Sequence, residues 1–330
     1  MIEGTRDFDA PAAHLHWAAE ALWQQLEPHL PGISVEVLAR AESTNTLLLE
    51  RARSGGGRHD APITTPGELE ALRQRGARDE RAGPYGRRSG DTQPCLLVAE
   101  HQTLGRGRMG RGWLSAPAAS LTFSIGLPLS PRDWSGLSLA VGVALADALE
   151  PPEPGAPTPR LGLKWPNDLW LTDAPGQGRK LGGVLIETVP VGGRRMVVVG
   201  VGLNIAPLPA AAAAAPALTH GHACLQEISP AATPPSALHR VALPLVRALQ
   251  QFEREGFAGF ASAYARRDLL SGQRVSAVDT AASGRADGTV EGLADGVTAS
   301  GALRLRTDDG ALREIGSGEV SVRLTQSTGA

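Results

Sequence analysis

The sequence predicts an α+β protein in two parts: a region of interspersed helices and strands, then a small all-β unit. Two observations carry this. Up to about residue 270, apolar stripes of helical period are interspersed with short segments of period two. Beyond that point the chain changes to short alternating segments split by Gly and Asp turns, most simply a barrel. Composition agrees, since 330 residues with 42% hydrophobic and 20% charged leave room for one large domain and a smaller one.

Taken in order, residues 12–27 carry a helical stripe of Leu15, Ala19, Leu22 and Leu26, and residues 33–39 alternate like a strand. Ser43, Thr44 and Asn45 then offer cap residues before Leu47, Leu48 and Leu49. Residues 54–93 are rich in Gly, Arg, Asp and Pro and read as a mobile insertion. A short buried strand is expected over 95–99, and Leu121, Phe123, Ile125 and Leu127 alternate as a strand with one buried face. An apolar helix follows over 135–149, then strands near 161–165, 168–172, 180–188 and 196–204. Residues 206–235 read as a poorly ordered Ala/Pro loop. A helical stretch over 236–267 presents Leu238, Val241, Leu245, Leu249 and Phe252 on one face, and Pro244 should kink it or delay its start. The barrel segments are 274–278, 288–293, 302–307, 312–315 and 319–324, which places a domain boundary near residue 270.

Charge and cysteine content narrow the function. A formal net charge of −2 gives no basis for sequence-independent nucleic-acid binding. Cys95 and Cys224 lie far apart without metal or redox spacing, as expected of reduced thiols in a cytoplasmic protein. No apolar run is long enough to span a bilayer, and no export signal is apparent at the N-terminus, so no membrane partner is expected.

The chemistry lies in four clusters. Residues 105–113 pack Arg106, Arg108, Arg111, four glycines and Trp113 into nine positions. Guanidinium forks at that density suit an anion, most simply phosphate. Gly105, Gly107 and Gly110 also spell a dinucleotide-binding pattern, but a strand follows instead of the helix which that pattern needs. In Lys164-Trp165-Pro166-Asn167-Asp168, a strand-end turn explains Pro166 and Asn167 but not a lysine among apolar neighbours, where an unpaired ammonium is costly. Lys180 opens an apolar strand ahead of Gly182 and Gly183, either as a solvent-facing lysine or as one aimed into a glycine-cleared cleft. In Val199-Gly200-Val201-Gly202-Leu203-Asn204 the glycines share one face, leaving room for a planar ring or for close packing against a helix. Together the clusters suit activation of a carboxylate by ATP, in which cations offset the repulsion between carboxylate and triphosphate.

Those residues, with Ser43-Thr44-Asn45, occur in the order that characterises biotin–protein ligases, and from about residue 35 onward the chain resembles that family. The resemblance implies a catalytic domain over 1–270 related to class II aminoacyl-tRNA synthetases and a C-terminal SH3-like barrel over 271–330. It implies that biotin and MgATP give biotinyl-5′-AMP, from which biotin passes to a lysine of a biotin carboxyl carrier domain. Carried over by position, Ser43, Thr44, Asn45 and Gln102 would hold the biotin rings, with Gly183 beside them, and Arg106 and Gly107 would close over them. Arg108 would bridge the carboxylate and the α-phosphate, Arg111 would meet the pyrophosphate, and Lys180 would be the principal catalytic cation. Lys164, Asn167, Trp113 and Asn204 would contact the nucleotide and Asp168 a Mg²⁺ ion. Glu319 and Arg323 match a barrel motif over the ATP side.

Three features depart from the family pattern. Met109 replaces a basic residue, the spacing from Asp168 to Lys180 is long, and 54–93 is inserted. Lys180 stays in register only if the extra residues bulge outward. Some members carry an N-terminal winged helix and repress transcription, but residues 1–32 offer one helical stripe and no recognition face, so no operator binding is expected. The rivals are a lipoate- or octanoate-protein ligase, which shares the adenylate logic, and a non-catalytic biotin sensor, from which Arg108 or Lys180 would be readily lost.

Overall fold

The computed structural model describes residues 15–55, 92–152, 155, 159–174, 177–191, 194–208, 221–279, 289–316 and 320–324. Most of the 54–93 insertion therefore lies outside the described residues, as do 209–220.

Seven strands form one mixed sheet in the order β1-β2-β3-β7-β6-β5-β4. They are β1 (Ser34–Ala41), β2 (Cys95–Gln102), β3 (Ser120–Pro128), β4 (Leu161–Lys164), β5 (Asp168–Ala174), β6 (Gln177–Val191) and β7 (Arg194–Asn204). Only β1 and β2 run parallel; every other neighbouring pair is antiparallel. Five further strands form the C-terminal sheet, in the order β11-β10-β9-β8-β12. These are β8 (Arg274–Asp279), β9 (Thr289–Val297), β10 (Leu303–Arg306), β11 (Leu312–Ile315) and β12 (Val320–Leu324), all antiparallel.

The two faces of the large sheet have different chemistry because side chains alternate along each strand. On β3, Leu121, Phe123, Ile125 and Leu127 point into the main core, and on β7 Val197, Val199, Val201 and Leu203 do the same. Helices α3 (Leu137–Leu149) and α4 (Pro234–Glu255) cover that face, packed on each other, and α1 (Ala19–Leu26) packs against β1 and α4. The opposite face carries α2 (Thr44–Gly55), whose Leu48, Leu49 and Ala52 meet Met196 and Val198 of β7. Past the start of α2 that same face continues as Ser124, Thr122 and Ser120 on β3 beside Gly200, Gly202 and Asn204 on β7. A face without apolar side chains, left uncovered by a helix, is available to a ligand.

Helix α4 starts from a reciprocal cap: the Thr233 hydroxyl accepts from the Ser236 N–H and the Ser236 hydroxyl from the Thr233 N–H. Its buried stripe is the expected one, and it runs through Pro244. The sequence stripe suggested continuation to 267, but Gly256, at φ 67°, ends the helix; a 3₁₀ turn and the short α5 (Ala261–Ala265) follow. The stretch read as a loose loop over 206–235 is packed where it is described: Ala223, Cys224 and Leu225 are buried, and the Ala223 N–H donates to the Lys180 carbonyl at 2.9 Å.

The link to the C-terminal sheet is polar and buried. Leu163 N–H donates to the Arg267 carbonyl and Leu269 N–H to the Leu163 carbonyl, so residues 267–269 lie along β4 through a single parallel bridge. Trp165, 1% exposed, donates its indole N–H to the Gly301 carbonyl at 3.0 Å, tying the two sheets together. Behind this seam Asp268 accepts from the Leu270 N–H and the Tyr264 hydroxyl, yet burial pushes its carboxyl up to about 6. Because the folded protein holds this proton more tightly than the unfolded chain, stability falls as pH rises from about 4 through 6. Asp268→Asn keeps the acceptor oxygen and removes the charge. It is therefore expected to unfold at higher temperature than the native protein at pH 8, by up to roughly 3 kcal/mol, with the gap closing toward pH 4.5. Thermal melts at the two pH values check this.

No helix among the described residues is long and apolar enough to cross a membrane. Both cysteines are unpaired and buried, and burial with the nearby Glu36 carboxylate pushes the Cys95 thiol up to about 12, which leaves it unreactive.

Candidate active site

A cavity of ≈ 590 Å³ opens on the uncovered face, a size suited to a cofactor-sized ligand. The sequence-predicted residues converge on it from six parts of the chain. Ser43, Thr44 and Asn45 enter from the start of α2 and Gln102 from the end of β2; Arg106, Gly107, Arg108, Arg111 and Trp113 come from the loop between β2 and β3. Lys164, Asn167 and Asp168 come from the β4–β5 turn, Lys180 and Gly183 from β6, and Asn204 from β7.

The cavity has two chemically distinct ends. Ser43, Thr44, Asn45 and Gln102 are uncharged and buried, with 9% exposure at most. The Thr44 N–H donates to Gln102 Oε1 at 2.8 Å, which fixes the amide of that glutamine. The other end carries the cations. Lys180 Nζ lies 2.7 Å from Asp168 Oδ1, and Arg108 donates to Asn167 Oδ1 at 3.3 Å. Burial lowers the Arg108 guanidinium from its usual value; the Asp168 carboxylate counters this, while Arg111 adds to it. A guanidinium held at such a cost gains most when an anion arrives. Lys164 Nζ sits 4.4 Å from the centre of the Trp170 ring, a cation–π contact that carries the ammonium past its apolar neighbours.

Lys180 reaches this position through a fault in strand pairing. Asp168 pairs with Gly183 and Leu169 with Gly182, but Trp170 pairs with Lys180, so Leu181 is an extra residue on β6. Strand positions 180 and 183 have opposite parity and would face opposite sides of a regular strand. The bulge restores them to one face. A Cβ on Gly183 would press on Asp168 Oδ1, at 3.2 Å, and touch Lys180 Nζ, at 3.5 Å, so the glycine eases the approach of this pair.

The glycine face of β7 is filled by the protein itself. A Cβ at Gly200 would collide with the Asn45 amide, and one at Gly202 with the Trp113 ring. The space is thus taken partly by a helix residue, Asn45, and partly by a planar ring of the protein itself, Trp113, and both residues line the cavity. Gly200→Ala is expected to cost about 1–3 kcal/mol, the usual range for overpacking, measured by urea unfolding.

The Arg–Gly loop is a narrow hairpin. Gly107 N–H donates to the Arg111 carbonyl, Trp113 N–H to the Gly105 carbonyl, and Arg106 pairs with Gly112. Met109 sits at its tip, half exposed and outside the cavity lining, so the missing basic residue removes no charge from the cavity wall. Trp113 lies with Lys180 Nζ 6.0 Å from its ring centre.

Three cavity features escaped sequence reasoning. Trp170 is 6% exposed, and its indole N–H, like that of Trp113, has no partner among the described residues. Ser124 and Glu187 join the neutral end through Asn45. The polar alternation of Ser120, Thr122 and Ser124 opposite an apolar face was the available signal. Of the barrel residues, Val322 lines the cavity and Arg323 pairs by backbone with Ser276; the Arg323 side chain and Glu319 lie outside what is described.

A mixed sheet with a cation-lined cavity, joined to a small antiparallel β unit, defines a class to which the sequence also points. Residues 88–204 match the Biotin/lipoate A/B protein ligase family, and residues 271–323 match the Biotin protein ligase C terminal domain. The Bifunctional ligase/repressor BirA of Escherichia coli (strain K12) is 31% identical over 306 residues, covering 92% of this chain and 78% of that protein. The biotin–[acetyl-CoA-carboxylase] ligase of Paracoccus denitrificans is 34% identical over 217 residues, 64% of this chain and 83% of that one. The Aquifex aeolicus biotin protein ligase, solved in complex with biotin and ATP, superposes with a TM-score of 0.60 at 24% identity, over 88% of this chain and 99% of that one, a likeness of fold. The chain belongs to the biotin/lipoate A/B protein ligase family, in its biotin protein ligase branch.

Proposed function

We propose that this protein activates biotin with ATP and transfers it to a lysine of a biotin carboxyl carrier domain, such as that of acetyl-CoA carboxylase. The observation that carries this is the division of one cavity into a neutral buried end and a cationic end, with the Lys180–Asp168 pair in the cationic one. The biotin rings occupy the neutral end, where Ser43, Thr44, Asn45 and Gln102 supply hydrogen bonds. Its carboxylate points at Lys180 and Arg108.

A carboxylate oxygen attacks the α-phosphorus of ATP. The bond from that phosphorus to the bridging oxygen breaks, and pyrophosphate leaves with the electron pair. Arg108 neutralises charge shared between carboxylate and α-phosphate; Arg111 and Lys164 stabilise the departing pyrophosphate. Each such donor is worth roughly 3–4 kcal/mol in the transition state. In the second step a neutral lysine ε-amine of the carrier attacks the mixed-anhydride carbonyl. The carbonyl–oxygen bond to AMP breaks, and the new amide nitrogen loses a proton. Lys180 stabilises the oxyanion formed on the way. Asn167, Asn204 and Trp113 border the nucleotide, with Arg323 assigned to the barrel side of it.

Among the described residues no group of three His, Cys, Asp or Glu side chains comes together. A single carboxylate beside phosphates is nonetheless the ordinary arrangement for Mg²⁺. Asp168 fits that part, and Mg²⁺ held there would offset phosphate charge.

Operator binding is not part of this proposal. The described N-terminal residues contain only α1, which is packed against β1 and α4, whereas a helix-turn-helix needs a second helix free for a groove. The two free thiols suit a reducing compartment, and we place the reaction in the cytoplasm.

ATP–pyrophosphate exchange on the purified protein tests the first step. Exchange that requires biotin supports it. Exchange driven by lipoate or octanoate moves the protein to the sister ligases, and tight biotin binding without exchange makes it a sensor. Incorporation of biotin into a carrier domain then reads the second step.

A further inference from the structure

A single hydrogen-bond chain joins the neutral end of the cavity to the Arg–Gly hairpin, and it has a direction. Thr44 Oγ1 lies 2.6 Å from Ser124 Oγ, and the Ser124 hydroxyl donates to Asn45 Oδ1 at 2.6 Å. Asn45 Nδ2 donates to Glu187 Oε2 at 3.0 Å and to the Leu185 carbonyl at 3.2 Å. Arg106 closes the chain from the other side, donating to Glu187 Oε1 at 2.9 Å and to Oε2 at 3.3 Å. Thr44, Ser124 and Asn45 are 0–3% exposed, so none of these groups can substitute water freely for a lost partner.

Two groups that can only accept, the Glu187 carboxylate and the Leu185 carbonyl, break the symmetry of this chain. A carboxylate only accepts, so Asn45 must turn its NH₂ toward Glu187 and its oxygen toward Ser124. Ser124 then spends its one proton on Asn45 and can only accept from Thr44, whose own proton has two acceptors in reach, Ser124 Oγ at 2.6 Å and Gln102 Oε1 at 3.1 Å. The Thr44 oxygen is left offering lone pairs to the cavity. We infer that Glu187 is a positioning residue which, together with the Leu185 carbonyl, sets the donor–acceptor polarity of the ring site and, through Arg106, clamps the hairpin against it. The inference rests on the reading of this cavity as a biotin site, and deepens it: an acceptor at Thr44 matches the N–H groups of the biotin urea ring. The dithiolane of lipoate has no N–H to give it.

Glu187→Gln preserves shape and removes one of the two groups that set the direction. A glutamine both donates and accepts, so the Leu185 carbonyl alone is left to orient the Asn45 amide, and Arg106 loses its ion pair. Biotin Kd by calorimetry is expected to rise on the order of 10- to 100-fold, the usual worth of a charge-assisted hydrogen bond, with KM for ATP unchanged. Amide hydrogen exchange at Gly107 and Trp113 of the hairpin is expected to quicken in the ligand-free variant, while exchange in β2 and β3 stays native. In an Arg106→Gln background, Glu187→Gln should no longer affect hairpin exchange. Native biotin Kd together with native hairpin exchange in Glu187→Gln would overturn the inference. If the unaltered protein binds no biotin, the functional reading fails, whereas the hairpin exchange still decides whether Glu187 holds Arg106.

Discussion

Lys180→Ala is expected to slow biotin-dependent ATP–pyrophosphate exchange on the order of 10²–10³-fold while leaving the fold intact. The size follows from removing one preorganised cation from a site where charge develops. Lys180 is a little over one-third exposed and stabilises no core, so its loss has little effect on unfolding. Its removal also takes the partner from Asp168, whose carboxylate then faces the incoming triphosphate with less compensation. Lys180→Arg is expected to restore little, because a planar fork does not fill the place of a compact ammonium 2.7 Å from one carboxylate oxygen. Exchange kinetics over a range of biotin and ATP concentrations check the prediction. A fall in kcat with biotin affinity near native places the lysine in the chemical step, whereas a pure rise in KM for biotin would make it a binding residue only.

The second large effect concerns stability. Arg267→Ala is expected to destabilise the protein by about 3 kcal/mol, at the lower end of the range for breaking a buried ion pair. Arg267 has a side chain 2% exposed, paired with Asp147 at 2.7 Å and Glu150 at 3.1 Å. It also donates to the Leu161 carbonyl at 2.9 Å. Truncation strands that buried acceptor, but Asp147 and Glu150 are about 30% exposed and regain water, which keeps the cost from the top of the range. The backbone of Arg267 lies on β4 next to the Lys164 turn, so partial loosening there is expected to lower ligase activity before global unfolding. Denaturant unfolding followed by tryptophan fluorescence, beside activity measured at increasing urea, separates the two.

The strands and helices were legible from the sequence because their signals are local. Alternation on β3 and β7, the stripe on α4 and the Gly/Asp punctuation of the C-terminal unit each lie within a short window, and the structure follows them closely. The motif residues were legible for a similar reason: arginine density beside glycine, or a lysine among apolar residues, is anomalous wherever it occurs. That they share one cavity is a fact about the sheet order β3-β7-β6-β5, which brings together strands distant in sequence.

The end of α4 was not legible, because the apolar stripe continues past Gly256 while the backbone turns there. Nor could the sequence say what the glycines of β7 make room for. Asn45 and Trp113, which occupy that space, are separated from it by long stretches of chain.

By itself the sequence determined which residues carry charge, which faces are apolar, and that residues 105–113, 164–168 and 180–187 place cations where an ordinary turn or strand would not need them. Only the tertiary structure decided that Lys180 and Gly183 share a face. Strand parity forbids it, and the Leu181 bulge, set by pairing with β5, reverses the parity. Likewise, only the packed sheet brings Ser124, Asn45, Glu187 and Arg106 within hydrogen-bond reach. The direction of their shared protons follows from which groups meet, and that is settled by long-range packing rather than by any spacing along the chain.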